Sequence, residues 1–186
     1  MKTPKLKDLI KDSYKTLKES QGYTNAMQAP RITKVVVSAG TGSFKDKKKQ
    51  QLALDRLTRI TGQKPSVKGA KQSVAAFKVR EGEPVGLQIT LRGARMYDFL
   101  DKLVNVALPR TKDFRGIPAR SGDDMGNYTL GIKEHIIFPE TPDEEIKDIF
   151  GLAVTIVTTT KNKAELKAFL DYLHFPFRKD EGLVKK

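Results

Sequence analysis

Between Thr61 and Arg80 the chain places Lys64, Lys68, Lys71, Lys78 and Arg80 with no acidic residue among them. Just beyond, Gln88, Thr90 and Arg92 recur at every second position. An amide, a hydroxyl and a guanidinium in one row can hydrogen-bond sugars and bases while the neighbouring cations neutralise phosphates. An ordinary solvated surface would mix its signs, whereas this stretch carries one, so it reads as a loop facing a polyanion. Catalysis has far less material. The two histidines, His135 and His174, are distant in sequence with no ligand spacing, and the chain has no cysteine, so no catalytic residue, metal site or cofactor is expected. The glycines of SAGTG at residues 38–42 do not make a phosphate loop either. A dinucleotide fingerprint would need glycine where Lys45 stands, and no Walker spacing follows.

These residues need elements to hold them. Val85, Leu87, Ile89 and Leu91 alternate with Gly86, Gln88, Thr90 and Arg92, the period of a strand with one apolar and one polar face. Ala75, Phe77 and Val79 alternate before it, with Gly82 between, which predicts a hairpin. Ile32 to Ala39 is a β-branched run after Pro30, a strand whose alternation is too poor to say which face Lys34 shares with Ser38. Tyr128, Leu130, Ile132, Ile136 and Phe138 predict another strand and Leu152 to Thr160 a further one.

Helical stripes fall between them. Leu6, Leu9, Ile10, Tyr14 and Leu17 predict an opening amphipathic helix ended by Gly22. Lys45 to Thr61, with Ala53, Leu54, Leu57 and Ile60 inward and Gly62 as its cap, predicts the second. Met96, Phe99, Leu100, Leu103 and Ala107 form a third stripe that Pro109 should end. Leu166, Phe169, Leu170 and Leu173 form the last, capped by Asn162 with Glu165. Pro109 to Gly126 lacks a period and reads as a long surface loop whose Arg110, Lys112, Arg115 and Arg120 suggest a second polyanion contact. Thr141, Pro142 and Glu144 predict a short capped helix, and Glu140, Asp143, Glu144, Glu145 and Asp148 make an acidic cluster there that a helix dipole only partly explains.

Composition agrees with a nucleic-acid partner. The 186 residues carry 35 Lys and Arg against 22 Asp and Glu, a formal charge of +13, and such an excess favours nucleic acid or an anionic membrane. No apolar run approaches the roughly 20 residues that span a bilayer, and the start MKTPKLKDLIKDSYK lacks an apolar signal core. No membrane partner is expected, and the cytoplasm is the expected location. A hydrophobic content of 38% and this length suit one domain, residues 1–186.

The stretch ITGQKPSVKGAKQSVAAFKVREGEPVGLQITLRG resembles the bacterial large-subunit ribosomal protein family that binds 5S rRNA, protein five of that subunit. PRITKVVVSAGTG, RMYDFLDKLVNVALPR, DFRG, GNYTLGIKEHIIFPE and the PF of Pro176 and Phe177 match the family in order. The resemblance implies an α+β fold: an antiparallel-rich sheet with helices packed on one face, an RNA-binding face on the other and a long basic loop. It implies a structural constituent of the ribosome that holds 5S rRNA in the central protuberance, with large-subunit rRNA and neighbouring 5S-associated ribosomal proteins beside it. The rRNA-binding set it implies is Lys34, Ser38, Gly40, Gln63, Lys64, Gln88, Thr90 and Arg92. The basic loop, through Lys68, Lys71, Ser73, Lys78 and Arg80, would reach peptidyl-site tRNA. Arg110, Lys112, Glu140, Glu144, Glu145 and Asp148 would meet protein partners, including a small-subunit head protein across an intersubunit bridge.

The chain departs from that family in three places. Ser38 stands where asparagine is usual, and His135 where glutamine is usual. Gly122, Asp123, Asp124 and Met125 replace a typical Phe-Asp-Gly-Arg, which removes an aromatic and a cation and should weaken any RNA contact there. An RNA chaperone or translational regulator outside the ribosome would use the same surface, and an RNA-modifying enzyme is the remaining alternative.

Overall fold

The computed structural model describes residues 5–44, 47–112, 114–141 and 149–178. Four helices lie among them: α1 (Leu6–Gln21), α2 (Lys47–Thr61), α3 (Gly93–Lys102) and α4 (Lys163–Tyr172). Five strands, β1 (Ile32–Gly40), β2 (Ser66–Gly69), β3 (Pro84–Leu91), β4 (Asn127–Ile132) and β5 (Leu152–Thr158), form one antiparallel sheet in the order β2-β3-β1-β5-β4. The fold is α+β, as the sequence pattern implies. Along each of the longer strands apolar side chains turn to a buried face: Val35, Val37 and Ala39 in β1, Leu87, Ile89 and Leu91 in β3, Tyr128, Leu130 and Ile132 in β4, Leu152, Val154 and Ile156 in β5. The alternate rows remain accessible, because successive residues of a strand point to opposite faces. Lys34, Val36 and Ser38 therefore share one row of β1, which the poor alternation of the sequence left open.

Contacts divide the chain into two compact units, Met1–Val35 with Arg92–Leu130 and Thr155–Lys186, and Val36–Leu91 with Gly131–Val154. In the first, α1, α3 and α4 bury their stripes: Leu6 and Leu17; Met96, Phe99 and Leu100; Leu166, Phe169 and Leu170. The start of α1 is tied down by the Asp101 carboxylate, which accepts the Leu6 N–H at 3.0 Å, and the Tyr172 hydroxyl donates to the Leu9 carbonyl at 3.0 Å. Burial, with the Glu165 carboxylate 2.5 Å away as the second cause, pushes the Tyr23 phenol well above its usual range. In the second unit, α2 buries Ala53, Leu57 and Ile60, and Ser66, Val67 and Lys68 of β2 pair antiparallel with Gln88, Leu87 and Gly86 of β3.

Several sequence expectations are corrected. The first arm of the hairpin is Ser66–Gly69, not the stretch from Ala75 to Val79; Ala75–Phe77 is a single 3-10 turn at the tip. The strand starting at Asn127 stops at Ile132, and His135–Ile137 is a 3-10 turn. Glu134 marked that break of phase, and His135 is buried instead, stacked 4.0 Å from Phe150. Pro109 does not stop α3 directly. The helix widens into a π turn at Leu103–Ala107 and tightens into a 3-10 turn at Leu108–Arg110, where the proline is tolerated in the first positions. The Asn162 side chain makes no cap bond, and only Glu165 reaches back, accepting the Lys161 N–H at 3.1 Å. The short helix expected from Thr141, Pro142 and Glu144 lies outside the described residues apart from Thr141.

The stretch after Arg110 is less free than its composition suggests. Ile117 pairs in parallel with Phe177, its N–H donating to the Pro176 carbonyl at 2.8 Å. Tyr128 meets Phe177 edge-on at 5.8 Å and donates its hydroxyl to the Pro118 carbonyl at 2.9 Å. Gly122 bridges to Tyr128. Asp123 accepts the Asn127 N–H at 2.6 Å, the Asn127 side-chain amide at 2.9 Å and the Met125 N–H at 3.1 Å.

Two predictions test this architecture. Gly22 and Gly126 both hold positive φ, at 69° and 76°, but a methyl on Gly22 would meet nothing within 4 Å, whereas one on Gly126 would fall 2.2 Å from the Thr160 carbonyl oxygen. Gly22→Ala should cost about 1 kcal/mol in urea unfolding, and Gly126→Ala on the order of 3 kcal/mol or more. The second concerns Asp123. The Asn127 side-chain hydrogen bond, followed by the Asn127 and Met125 backbone donors, holds its carboxyl below the ordinary 3.8. A depressed folded value means the turn is whole above the unfolded value and is lost as pH falls through the folded one. Carboxyl NMR titration should place the Asp123 midpoint below 3.8, and Asn127→Ala should raise it.

Candidate nucleic-acid interface

β3 sets the polar row of the second unit. Because Leu87, Ile89 and Leu91 are buried, Gln88 and Thr90 must face the other way, Gln88 half-buried and Thr90 exposed. Ser38 lies on the accessible row of β1, the strand next to β3, and Gly40 is exposed at its end. A side chain at Gly40 would meet nothing within 4 Å, so the protein itself leaves room there for an outside group. Gln63 follows the end of α2 and donates its side-chain amide to the Thr90 carbonyl at 3.4 Å, while Lys64 beside it is exposed. Ser38, Gly40, Gln63, Lys64, Gln88 and Thr90 thus belong to one unit.

The cationic stretch is an arm built on the β2–β3 pair. Ala70 and Gly82 lock its base, the Ala70 N–H donating to the Glu83 carbonyl at 2.8 Å and the Gly82 N–H to the Ala70 carbonyl at 3.0 Å. Gly69 permits the crossing, since a methyl there would lie 3.1 Å from the Gly82 carbonyl oxygen. Ser73 accepts the Glu81 N–H on its hydroxyl at 2.9 Å, and the Arg80 N–H donates to the Glu83 carboxylate at 3.0 Å. Ser73 therefore braces the arm as well as facing outward. Lys68, Lys71, Lys78 and Arg80 are all exposed, so the fold leaves the whole cationic set for a partner.

The remaining predicted residues fall elsewhere. Lys34 lies in the first unit's part of β1, half-buried, and Arg92 is not in β3 but precedes α3 as its N-cap, exposed. Arg110 and Lys112 are exposed after α3, also in the first unit. Glu140 is half-buried, and Glu144, Glu145 and Asp148 lie outside the described residues. Among the described residues no cluster of His, Asp and Glu could hold a metal ion, and no helix is long and apolar enough to cross a membrane.

Two features escaped the sequence reading. Thr129 of β4 and Thr155 of β5 place their hydroxyls 3.1 Å apart on the accessible row of the first unit, and their period-two position opposite buried neighbours was the available signal. Phe77 is the other. Alternation with Ala75 and Val79 argued for a packed arm, whereas the ring stands 79% exposed at the tip.

Comparison with known proteins identifies the family. Residues 25–80 match the family described as ribosomal protein L5, and residues 84–177 the family described as the C-terminus of the same ribosomal protein family. The large ribosomal subunit protein uL5 of Desulfatibacillum aliphaticivorans is 56% identical over 164 residues, covering 88% of this chain and 92% of its own. Its namesake in Mesoplasma florum is 51% identical over 159 residues, 85% and 88% of the two chains. That of Cupriavidus metallidurans is 47% identical over 178 residues, 95% and 99%. This near-complete match gives the assignment: the chain belongs to the ribosomal protein L5 family, the uL5 proteins of the large ribosomal subunit, which are structural proteins of the bacterial cytoplasm and not enzymes.

Proposed function

We propose that the chain binds 5S rRNA and attaches it to the large subunit in the central protuberance. The observation that carries this reading is the accessible row of the sheet, with Ser38, Gln88 and Thr90 presented opposite a buried apolar face. Short hydroxyls and an amide on a strand face suit the shallow minor groove of A-form RNA, where 2′-hydroxyls and base edges are displayed. Lys34, Gly40, Gln63, Lys64 and Arg92 complete the proposed rRNA set. The chain acts as one RNA-binding domain over residues 1–186, a reading supported by β1, β4 and β5, each of which runs from one unit into the other.

The arm contacts peptidyl-site tRNA through Lys68, Lys71, Ser73, Lys78 and Arg80. Its support is the run from Thr61 to Arg80, whose exposed Lys68, Lys71, Lys78 and Arg80 have no acidic residue among them; phosphates neutralise such a run and a protein surface of mixed sign would not. Arg110, Lys112, Glu140, Glu144, Glu145 and Asp148 meet protein partners, the acids among them a small-subunit head protein across an intersubunit bridge. RNA would repel the acidic cluster, which is why a protein is the better occupant.

Filter binding of 5S rRNA and unrelated RNA to the full chain, across a range of salt, separates these roles. Lys68→Ala and Lys71→Ala should weaken both RNAs alike and flatten the salt slope by at most about one unit each. Gln88→Ala and Thr90→Ala should instead narrow the preference for 5S rRNA; an unchanged preference in both would reject the sheet as the reading surface. In reconstituted ribosomes, Glu144→Lys with Glu145→Lys should spare 5S rRNA binding and weaken subunit association in sucrose gradients. Normal association at every salt concentration would return the acidic cluster to a capping role.

A further inference from the structure

Phe77 stands out on the cationic arm as a large ring with 79% of its surface open to solvent. The position is built, not frayed. The Phe77 N–H donates to the Val74 carbonyl at 3.2 Å, the Lys78 N–H to the Ala75 carbonyl at 3.0 Å and the Val79 N–H to the Val74 carbonyl at 3.3 Å, so the turn that carries the ring satisfies its own backbone. Lys78 takes φ 52° and ψ 38°, a left-handed conformation that non-glycine residues adopt at a cost, and it turns the chain away directly after the ring. Ala75 and Ala76 offer only methyls beside it, and both are exposed, so no bulky side chain in the turn shields the ring face. Val67 and Val74, also exposed, extend apolar surface along the same arm.

The charges around this tip decide what it suits. Lys71, Lys78 and Arg80 are exposed on the tip side, and the two acids, Glu81 and Glu83, follow them toward the base of the arm, where the Glu83 carboxylate accepts the Arg80 N–H at 3.0 Å. An aromatic ring among unpaired cations is the combination that binds nucleic acid whose bases are open: cations hold phosphates, and the ring stacks on a base without reading its identity. A protein interface would set apolar residues in a core with a rim of mixed sign. We infer that Phe77 is a stacking tip, laid against the flat face of a nucleobase that a folded RNA leaves open at a loop or helix end. The proposal rests on the arm being an RNA contact and adds the chemical group it recognises. Duplex RNA, with its bases stacked inside, gives the ring no such face.

The chain contains no tryptophan, so Phe77→Trp introduces a single indole at the tip of the full-length protein. Addition of a folded tRNA transcript should quench its emission by stacking. Heparin, a polyanion without bases, should bind without comparable quenching. Phe77→Leu keeps apolar bulk but removes the π face, and should weaken affinity for the tRNA transcript about ten-fold or more, leaving affinity for long duplex RNA and the salt slope unchanged. Thermal unfolding should match that of the parent chain, since the ring is exposed. Equal tRNA affinity of Phe77→Leu and the parent, or equal quenching by tRNA and heparin, would overturn the stacking tip. If Lys68→Ala and Lys71→Ala weaken tRNA binding while Phe77→Leu does not, the arm remains an RNA contact and only the stacking fails. If neither lysine matters, the reading of the arm itself fails. Weakened incorporation of Phe77→Leu into large subunits, with tRNA affinity unchanged, would place the ring on a protein and also overturn the proposal.

Discussion

The parity of β3 is the constraint from which the sheet's chemistry follows. Leu87, Ile89 and Leu91 are buried, and each such side chain is stabilised by roughly 1.5 to 3 kcal/mol relative to exposure. A slip of one residue would bring Gln88 and Thr90 inward and turn three apolar side chains out. The polar row is therefore held in place by the apolar row. Its partners reinforce the choice: β2 pairs with β3 through Ser66 opposite Gln88, and Gln63 donates to the Thr90 carbonyl at 3.4 Å. The polar row needs no special device, because burial on one face determines what the other presents.

The arm poses the opposite problem, since like charges oppose their own approach. It is solved with uncharged groups. Ala70 with Glu83, Gly82 with Ala70 and Val74 with Val79 join the two sides through backbone hydrogen bonds, and the Ser73 hydroxyl accepts the Glu81 N–H. Glu83 contributes its carboxylate to a backbone donor instead of to a lysine. None of these contacts spends the arm's cationic side chains on folding, which leaves charge for a ligand. The same arrangement limits stability: with Phe77, Val74 and Val67 exposed, the arm buries little apolar surface, so it belongs to the class of elements of low local stability.

How much of this was legible in the sequence depends on how long each pattern runs. Helical stripes over several turns were correct, as with Leu166, Phe169, Leu170 and Leu173, and the alternation of β3 located the polar row. Short alternations misled. Ala75, Phe77 and Val79 fit a strand over five residues, yet a single 3-10 turn satisfies the same spacing, and nothing local decides between them. Ile136 and Phe138 continued the β4 pattern only if Glu134 were tolerated inside it; the chain instead turns, and the imidazole of His135 takes the buried place, stacked on Phe150. Pro109 to Gly126 looked free because its anchors come from afar, Phe177 pairing with Ile117 and Leu166 facing Gly122.

That last contact bears on the departure at residues 122–125. Gly122 is buried, and a methyl there would lie 2.9 Å from a Leu166 side-chain carbon, so the position takes a larger side chain only if the Leu166 side chain shifts. Leu166 is itself fully buried. Asp123 is the residue that closes the turn, through Asn127 and Met125. A change to glycine at one position and retention of aspartate at the next are thus both accounted for by packing and turn geometry within the unit. Met125 is different, standing 75% exposed, with only its backbone used by the turn. Of the chemistry that the family resemblance marks as lost, the aromatic belongs at a position now approached by the Leu166 side chain, and the cation at one that remains open to solvent. An RNA contact from this turn would therefore have to come from the exposed side chains around Asp124 and Met125, a carboxylate and a thioether, and neither neutralises phosphate.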